Sequence, residues 1–444
     1  MKRYEKYKPS GIEWIGEIPA HWEVKKLGWL GKFSASGIDK KIVKGEPLVK
    51  MINYTDIYGN KKLTLTANRK YMIVSSPAEK KIEHQVNVGD LIFTPSSETV
   101  DEIGLSAVVI DELPDTVYSY HVIRLRFNKE LNLGFKKYLC NNNFVLNQFS
   151  KKAKGTTRQI IGRDVFKNIL VIIPPLEEQT AIADYLDRKT AQIDELIAGK
   201  KRLLELYEEE KTAIINQAVT KGINPDVPMK DSSIEWIGEI PEHWEVKKLN
   251  SMCRFVRGNS NFKKDELLDN GKYIALQYGK TYKVNEIDKK YEYYVNDEFY
   301  KISQVVKLGD VILISTSETI DDLGHSVFYN RKDMGLLGGE QILLRPNCDI
   351  VNDKYLYYSS KVFTKELRKY ATGIKVFRFN ISDLKKIYIP VPPLEEQTAI
   401  VKYIEKEIAR INTKVEKTKK LIELLEEYKQ ALISEVVTGK IKVV

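Results

Sequence analysis

Cysteine is scarce in this chain: Cys140, Cys253 and Cys348 are three scattered residues among 444. An odd, widely spaced set implies neither a disulfide framework nor a zinc site, and it fits a reducing compartment. Histidine is as thin, five residues too dispersed to form a cluster. Long apolar runs are missing as well. The first residues, Met1 to Lys8, lead into no stretch of signal or membrane length, so a cytoplasmic protein without a membrane partner is expected. Gly11, Gly16 and Gly28 are not spaced as a phosphate loop. The run Asn141, Asn142, Asn143, Phe144 lacks the proline pair that an amino-methyltransferase places before its aromatic residue. Glu23 and Lys25, and likewise Glu245 and Lys247, read formally as the Glu-x-Lys of a nuclease, but no Asp stands in a strand shortly upstream. They read better as a solvated edge beside Trp22 and Trp244. No catalytic residue and no metal ligand is assigned.

What the chain does have is length, charge and a repeat. At 444 residues it exceeds one hydrophobic core. Its 71 Lys and Arg against 61 Asp and Glu leave a net charge of +10, which favours a polyanion partner. Part of that basicity is also what a Lys- and Asn-rich codon usage produces. Residues 12–27 recur almost unchanged at 234–249, with Ala20 replaced by Glu242. Gly89 and Asp90, followed by Ser97, Glu98 and Thr99, return as Gly309, Asp310, Ser317, Glu318 and Thr319. Pro174, Pro175, Leu176, Glu177, Glu178 and Gln179 return at 392–397. One unit of about 220 residues is therefore used twice. The expected domains are 1–173, a first module; 174–222, a long helix; 223–391, a second module; and 392–444, another long helix.

The helices start where a proline pair meets two glutamates, which suits a first turn and its dipole. Gly222 and Gly439 mark their ends. Each run of about 45 residues is far longer than an ordinary globular helix. Apolar residues recur eleven apart, at Ile182, Ile193, Leu204 and Ile215, and at Ile400, Ile411, Ile422 and Ile433. Leu186, Ile197, Ile404 and Val415 lie beside them. An eleven-residue period keeps the seam nearly straight along the helix. Two such seams on one chain favour helix pairing through Ile193, Ile197, Leu204, Ile215, Ile411, Val415, Ile422 and Ile433, against the alternative of two separately docked helices. Gly199 is a weak point in the first helix.

Each module reads as α+β with a twisted sheet. Strands are predicted at 91–93, 107–110 and 122–127, and at 311–314 and 342–345. Short helices are predicted at 133–148 and 354–370, and last strands at 169–173 and 387–389. The intervals 34–88 and 256–308 share little, although the sequences around them nearly coincide. Two readers of different targets on one scaffold would look like this; drift after duplication is the bland alternative. DNA contacts are placed in loops that mix cations with purine-reading side chains. In the first module these are Lys40, Lys41, Asn53, Tyr54, Thr94, Ser96, Ser97, Lys154, Thr156, Thr157, Arg158 and Gln159, with Lys151 and Lys152 as phosphate binders. In the second they are Arg257, Asn259, Lys263, Lys264, Gln277, Tyr278, Ser315, Thr316, Lys375, Arg378 and Asn380. The acidic groups Glu98, Asp101 and Glu102, and Glu318, Asp321 and Asp322, read as turn chemistry, with base contact by a carboxylate as the sharper option.

Tandem modules closed by Pro-Pro-Leu-Glu-Glu-Gln and a long helix, with Trp-Ile-Gly-Glu-Ile-Pro-x-His-Trp arms, resemble the specificity subunit of type I restriction–modification enzymes across the whole chain. The resemblance implies two target recognition domains that each read half of a bipartite, asymmetric duplex DNA sequence. It also implies long helices paired as an antiparallel coiled coil, and docking of two methylation subunits and, through them, restriction subunits. S-adenosylmethionine, ATP and Mg²⁺ would be bound by those partners and no cofactor by this chain. A self-sufficient nuclease or methyltransferase, and a scaffold that does not bind DNA, are the competing readings. A helical segment of about 28 residues spans about 42 Å, comparable with one DNA turn of about 34–36 Å.

Overall fold

The computed structural model describes residues 3–443; Met1, Lys2, Val444 and the side chain of Asp101 lie outside the described residues. The chain forms two compact units. One comprises residues 1–201 and 419–444, the other residues 202–418, so both boundaries fall inside long helices, Leu176–Lys221 and Leu394–Val437. These helices have 46 and 44 residues, the lengths the proline starts and glycine stops imply. Among the described residues no helix is long and apolar enough to cross a membrane.

The first unit opens with a hairpin, Tyr7–Pro9 against Glu17–Pro19. Strand Glu23–Lys26 then pairs antiparallel with the module's last strand, Leu170–Ile173. The rest of the module lies in the chain between these two strands. It holds a five-stranded sheet ordered Gly31–Ser34, Ile123–Phe127, Leu91–Phe93, Ser106–Val109 and Thr64–Leu65. A three-stranded sheet stands beside it, Thr116–Tyr118, Leu48–Ile52 and Met72–Ser75. The apolar runs at 91–93 and 106–109 are wholly buried, as strands covered on both faces must be. One expectation fails here. The helix predicted over 133–148 is two helices, Leu133–Leu139 and Asn143–Ser150. The asparagines break it: Asn142 Oδ1 accepts from Val145 N–H at 3.1 Å as the second N-cap, and Asn141 exchanges two 2.9 Å hydrogen bonds with the Ser106 backbone.

The second unit repeats the plan. Its hairpin is Met229–Asp231 with Glu239–Pro241, and Glu245–Lys248 pairs with Tyr388–Val391. Its five-stranded sheet runs Cys253–Arg257, Gln341–Pro346, Val311–Ile314, Ser326–Tyr329 and Glu286–Ile287. The second sheet has four strands rather than three, with Tyr273–Leu276 and Gly335–Leu337 at its centre. Helix Asp353–Leu367 is unbroken, because no asparagine run interrupts it.

The repeated strings prove to be joints. Gln179 is buried at the head of the first long helix. Its Nε2 donates to the Pro174 carbonyl, and its Oε1 accepts from Asn132 N–H, both at 2.9 Å. Gln397 makes the same pair with Pro392 and Asn352, at 2.9 and 2.7 Å. Glu178 accepts from Tyr4 at 2.9 Å and from the indole of buried Trp22 at 3.1 Å, and it pairs with His21. Glu396 pairs with His243 at 2.7 Å beside buried Trp244. The tryptophan arm and the helix head, some 150 residues apart in sequence, are two halves of one contact.

A second joint explains the Gly-Asp string. Gly89 and Gly309 have φ of 87° and 89°, left-handed values that favour glycine. Each turn delivers a buried carboxylate, Asp90 or Asp310. Asp90 accepts from Arg126 Nε and Nη2 at 2.9 and 2.7 Å, and Asp310 from Arg345 at 2.9 and 2.6 Å. Asp90→Asn or Asp310→Asn strands a guanidinium. Losing a buried pair of this kind costs about 3–5 kcal/mol, and partial exposure of both arginines places the expected loss near the lower limit. Thermal unfolding checks it: each variant lowers the midpoint of its own unit, and an unchanged midpoint overturns the assignment.

The long helices run antiparallel within each unit. In the first, Lys429 Nζ meets the Asp194 carboxylate at 2.6 Å and Lys201 approaches Glu426 at 3.9 Å, over buried Ile193, Ile197, Ile422 and Ile433. In the second, Arg410 meets Glu210 at 3.0 Å and Lys414 faces the Tyr207 ring, over buried Ile411 and Val415 and half-buried Leu204. Exposed ion pairs contribute little, so the apolar seam holds the helices. Ile215 also meets the other long helix, at Ile400 and Ile404. All three belong to the second module's core with Trp244.

Candidate nucleic-acid interface

The basic loops close against the serine loops by a two-residue ribbon in each module. Ser96–Ser97 pairs with Gln159–Ile160, and Thr316–Ser317 with Phe377–Arg378. A tight turn precedes each second strand. Gly155 and Gly373 sit at φ of 121° and 117°, where a Cβ would strike the carbonyl of Arg158 or Val376 at 2.2 or 1.9 Å. Only glycine closes these turns. The register fixes the correspondence. Gln159 stands opposite Ser97 and Phe377 opposite Ser317, so Arg378 occupies the place of Ile160, and Val376 that of Arg158. The two arginines lie two residues apart on the same face of equivalent strands.

Beside each ribbon a helical turn presents a tyrosine pair. Tyr54 and Tyr58 stack at 5.2 Å between ring centroids, and Tyr278 and Tyr282 at 6.2 Å. The acidic turns brace them. Glu102 accepts from Tyr58 at 2.7 Å and from Thr99 Oγ1 at 2.8 Å. Asp322 accepts from Thr319 Oγ1 and is held below the usual carboxylate range first by that bond and then by Tyr282. Tyr58 and Tyr282 were not singled out in sequence; the signal was there, a Tyr-x-x-x-Tyr in each module.

The first module brings Lys40, Tyr54 and Arg158 into one cleft of about 300 Å³, together with Thr55, Tyr58, Glu98 and His121. His121 is held below the usual histidine range by burial, then by Lys40 and Arg158, so it is neutral at neutral pH. Lys41, Lys154, Thr156 and Thr157 are exposed on neighbouring loops, as are Lys151 and Lys152. Gln159 turns back, donating to the Gly155 carbonyl at 2.7 Å. In the second module, Gln277 and Tyr278 line a cleft of about 190 Å³ with Ser260, Asn261 and Glu340. Arg378 approaches Glu340 at 3.6 Å, and Arg257 donates to Asn380 at 3.3 Å. Asn259 accepts from Lys301 at 3.3 Å, while Lys263, Lys264 and Lys375 are exposed.

Several expected contact residues are support instead. Thr94 and Ser97 are fully buried, and Ser315 and Thr316 nearly so. Asn53 is buried, its Oδ1 accepting from Tyr54 N–H at 2.9 Å and Ser119 Oγ at 3.3 Å. Gln277 plays the same capping part, accepting from Lys280 N–H at 3.1 Å. These side chains shape the loop, although Gln277 also lines the cleft. Ser96 stays half-buried and accepts from Arg158 Nε at 3.2 Å. Among the described residues no group of three or more His, Cys, Asp or Glu is placed to hold a metal ion.

Comparison with known proteins shows which family builds this pair of faces. The model of the type I restriction modification DNA specificity domain matches the chain twice, at residues 19–206 and 241–425. The chain belongs to this family. Each match of the specificity domain begins in an arm and ends inside a long helix, so it includes the joint described above. The type I restriction enzyme MjaVIII specificity subunit of Methanocaldococcus jannaschii is 25% identical over 450 residues, covering 96% of this chain and 94% of that protein. In fold, the chain is similar to the HsdS subunit of Thermoanaerobacter tengcongensis, with a TM-score of 0.54, 18% identity, and coverage of 96% and 98% of the two chains. It also matches a chain from a structural study of assembly and conformational transition in the type I R-M system, with a TM-score of 0.68, 17% identity, and coverage of 96% and 99%.

Proposed function

We propose that this chain is the specificity subunit of a type I restriction–modification complex. Each module reads one half of a bipartite, asymmetric duplex DNA target. The paired helices and their joints dock two methylation subunits, and restriction subunits join the assembled complex. S-adenosylmethionine, ATP and Mg²⁺ belong to those partners, and the chain acts inside the cell. The observation that carries the reading is the contrast within the repeat. The Gln179 and Gln397 joints coincide to within a few tenths of an ångström in their hydrogen bonds. The loop faces they support carry different charged groups. One mount with two faces suits two different half-sites.

Duplex binding by the full chain across a salt series tests it. Each phosphate neutralised adds about −0.9 to the slope of log K against log salt. The expected result is a steep negative slope with no turnover of ATP or S-adenosylmethionine by the chain alone, and methylation of one bipartite sequence once methylation subunits are added. A flat slope leaves a scaffold; turnover by the lone chain makes it an enzyme.

A further inference from the structure

We infer that the cleft of the first module reads one G·C base pair whole, Arg158 donating to guanine O6 and N7 while Glu98 accepts from the N4 amino group of the paired cytosine. The inference rests on the DNA-reading function proposed above and assigns it a base and two residues. Arg158 is pinned along one edge. Its Nε donates to Ser96 Oγ at 3.2 Å, and its guanidinium carbon lies 5.5 Å from the centre of the Tyr54 ring. That leaves the two terminal nitrogens as an oriented fork, with no ion pair among the described residues. Glu98 is exposed on the same cleft and has neither a hydrogen bond nor an ion pair among the described residues. An ionised glutamate is acceptor only, and an arginine donor only.

The major-groove code then selects the pair. A two-pronged donor needs two adjacent acceptors, and only guanine offers them, as O6 and N7. A carboxylate needs a donor beside them, which the partner cytosine supplies as N4. An A·T pair satisfies one prong at most. A phosphate is excluded from the same spot for a simpler reason, since Glu98 would repel it. His121, neutral for the reasons given, adds no charge to shift that balance. In the second module the arginine on the equivalent strand, Arg378, lies 3.6 Å from Glu340 instead.

The test uses the full chain assembled with its methylation subunits, and maps methylated sites in the DNA of cells carrying the system. Duplexes holding each of the four base pairs at the mapped position then compete for binding. In the wild type, the half-site that changes when the first module is exchanged contains a G·C pair. Arg158→Ala and Arg158→Lys both relax that position by roughly 5- to 150-fold, because lysine keeps charge and loses the fork. Glu98→Gln relaxes the same position, and Lys154→Ala weakens all duplexes alike. Unrelaxed reading of the other half-site shows that each variant is folded and assembled. Full discrimination by Arg158→Lys, or relaxation at an A·T position, overturns the inference while the bipartite target stands. A wild-type complex that methylates no bipartite sequence overturns the proposed function itself.

Discussion

Replacing residues 28–168 with the same interval of a related chain is expected to change one half of the methylated sequence and leave the other intact. The ends of the exchange follow from the fold. Strands Glu23–Lys26 and Leu170–Ile173 pair with each other, and Leu27 N–H closes the ladder on the Ile169 carbonyl at 2.9 Å. Cutting inside them leaves this support and the Trp22–Glu178 contact untouched. It also keeps matched surfaces together. A Cβ on Gly28 would lie 3.0 Å from the Lys167 carbonyl, so these two residues must travel as a set. The equivalent exchange in the second module runs from 250 to 386, because Leu249 N–H donates to the Ile387 carbonyl at 2.9 Å. Sequencing of modified bases from each chimaera, made with its methylation subunits, gives the answer. A change in both half-sites from one exchange would show that the modules do not read independently.

The plan of the chain was legible in sequence because it rests on period and repetition. An apolar row every eleven residues leaves little but a long helix, and a nine-residue string that recurs before such a row marks its start. The strands at 91–93 and 311–314 are short apolar runs with turn residues on either side, a strong local signal. The joints were not legible. Nothing in a linear chain says that Trp22 and Glu178 meet, or that Gln179 receives Asn132 N–H, since both contacts are tertiary. Nor could composition separate Thr94 from Ser96. Both are small hydroxyl residues in one loop, but Thr94 points into the core and Ser96 towards Arg158. Site prediction from loop chemistry alone therefore took in caps and buried hydroxyls. It also passes over Tyr58 and Tyr282, which stack on Tyr54 and Tyr278 at helical spacing.

The chain crosses from one unit to the other only within the two long helices, between residues 201 and 202 and between 418 and 419. If helix length sets the number of unread base pairs between half-sites, lengthening both crossings must lengthen the gap. Four helix-forming residues inserted after Lys201 and four after Thr418 add about 6 Å of rise, or about two base pairs at roughly 3.4 Å each. Four residues also turn a helix by slightly more than one revolution, so both seams stay close to phase. A single insertion after Thr190 is a worse choice. It would drive Asp194 about one turn past Lys429, which holds it in the first unit. Paired insertions leave the helix pairing within each unit as it is. The complex with paired four-residue insertions is therefore expected to methylate the same half-sites across a gap about two base pairs longer. Paired two-residue insertions rotate each helix by about 200° and are expected to abolish methylation. An active four-residue variant with an unchanged gap would show that something other than the helices measures the distance.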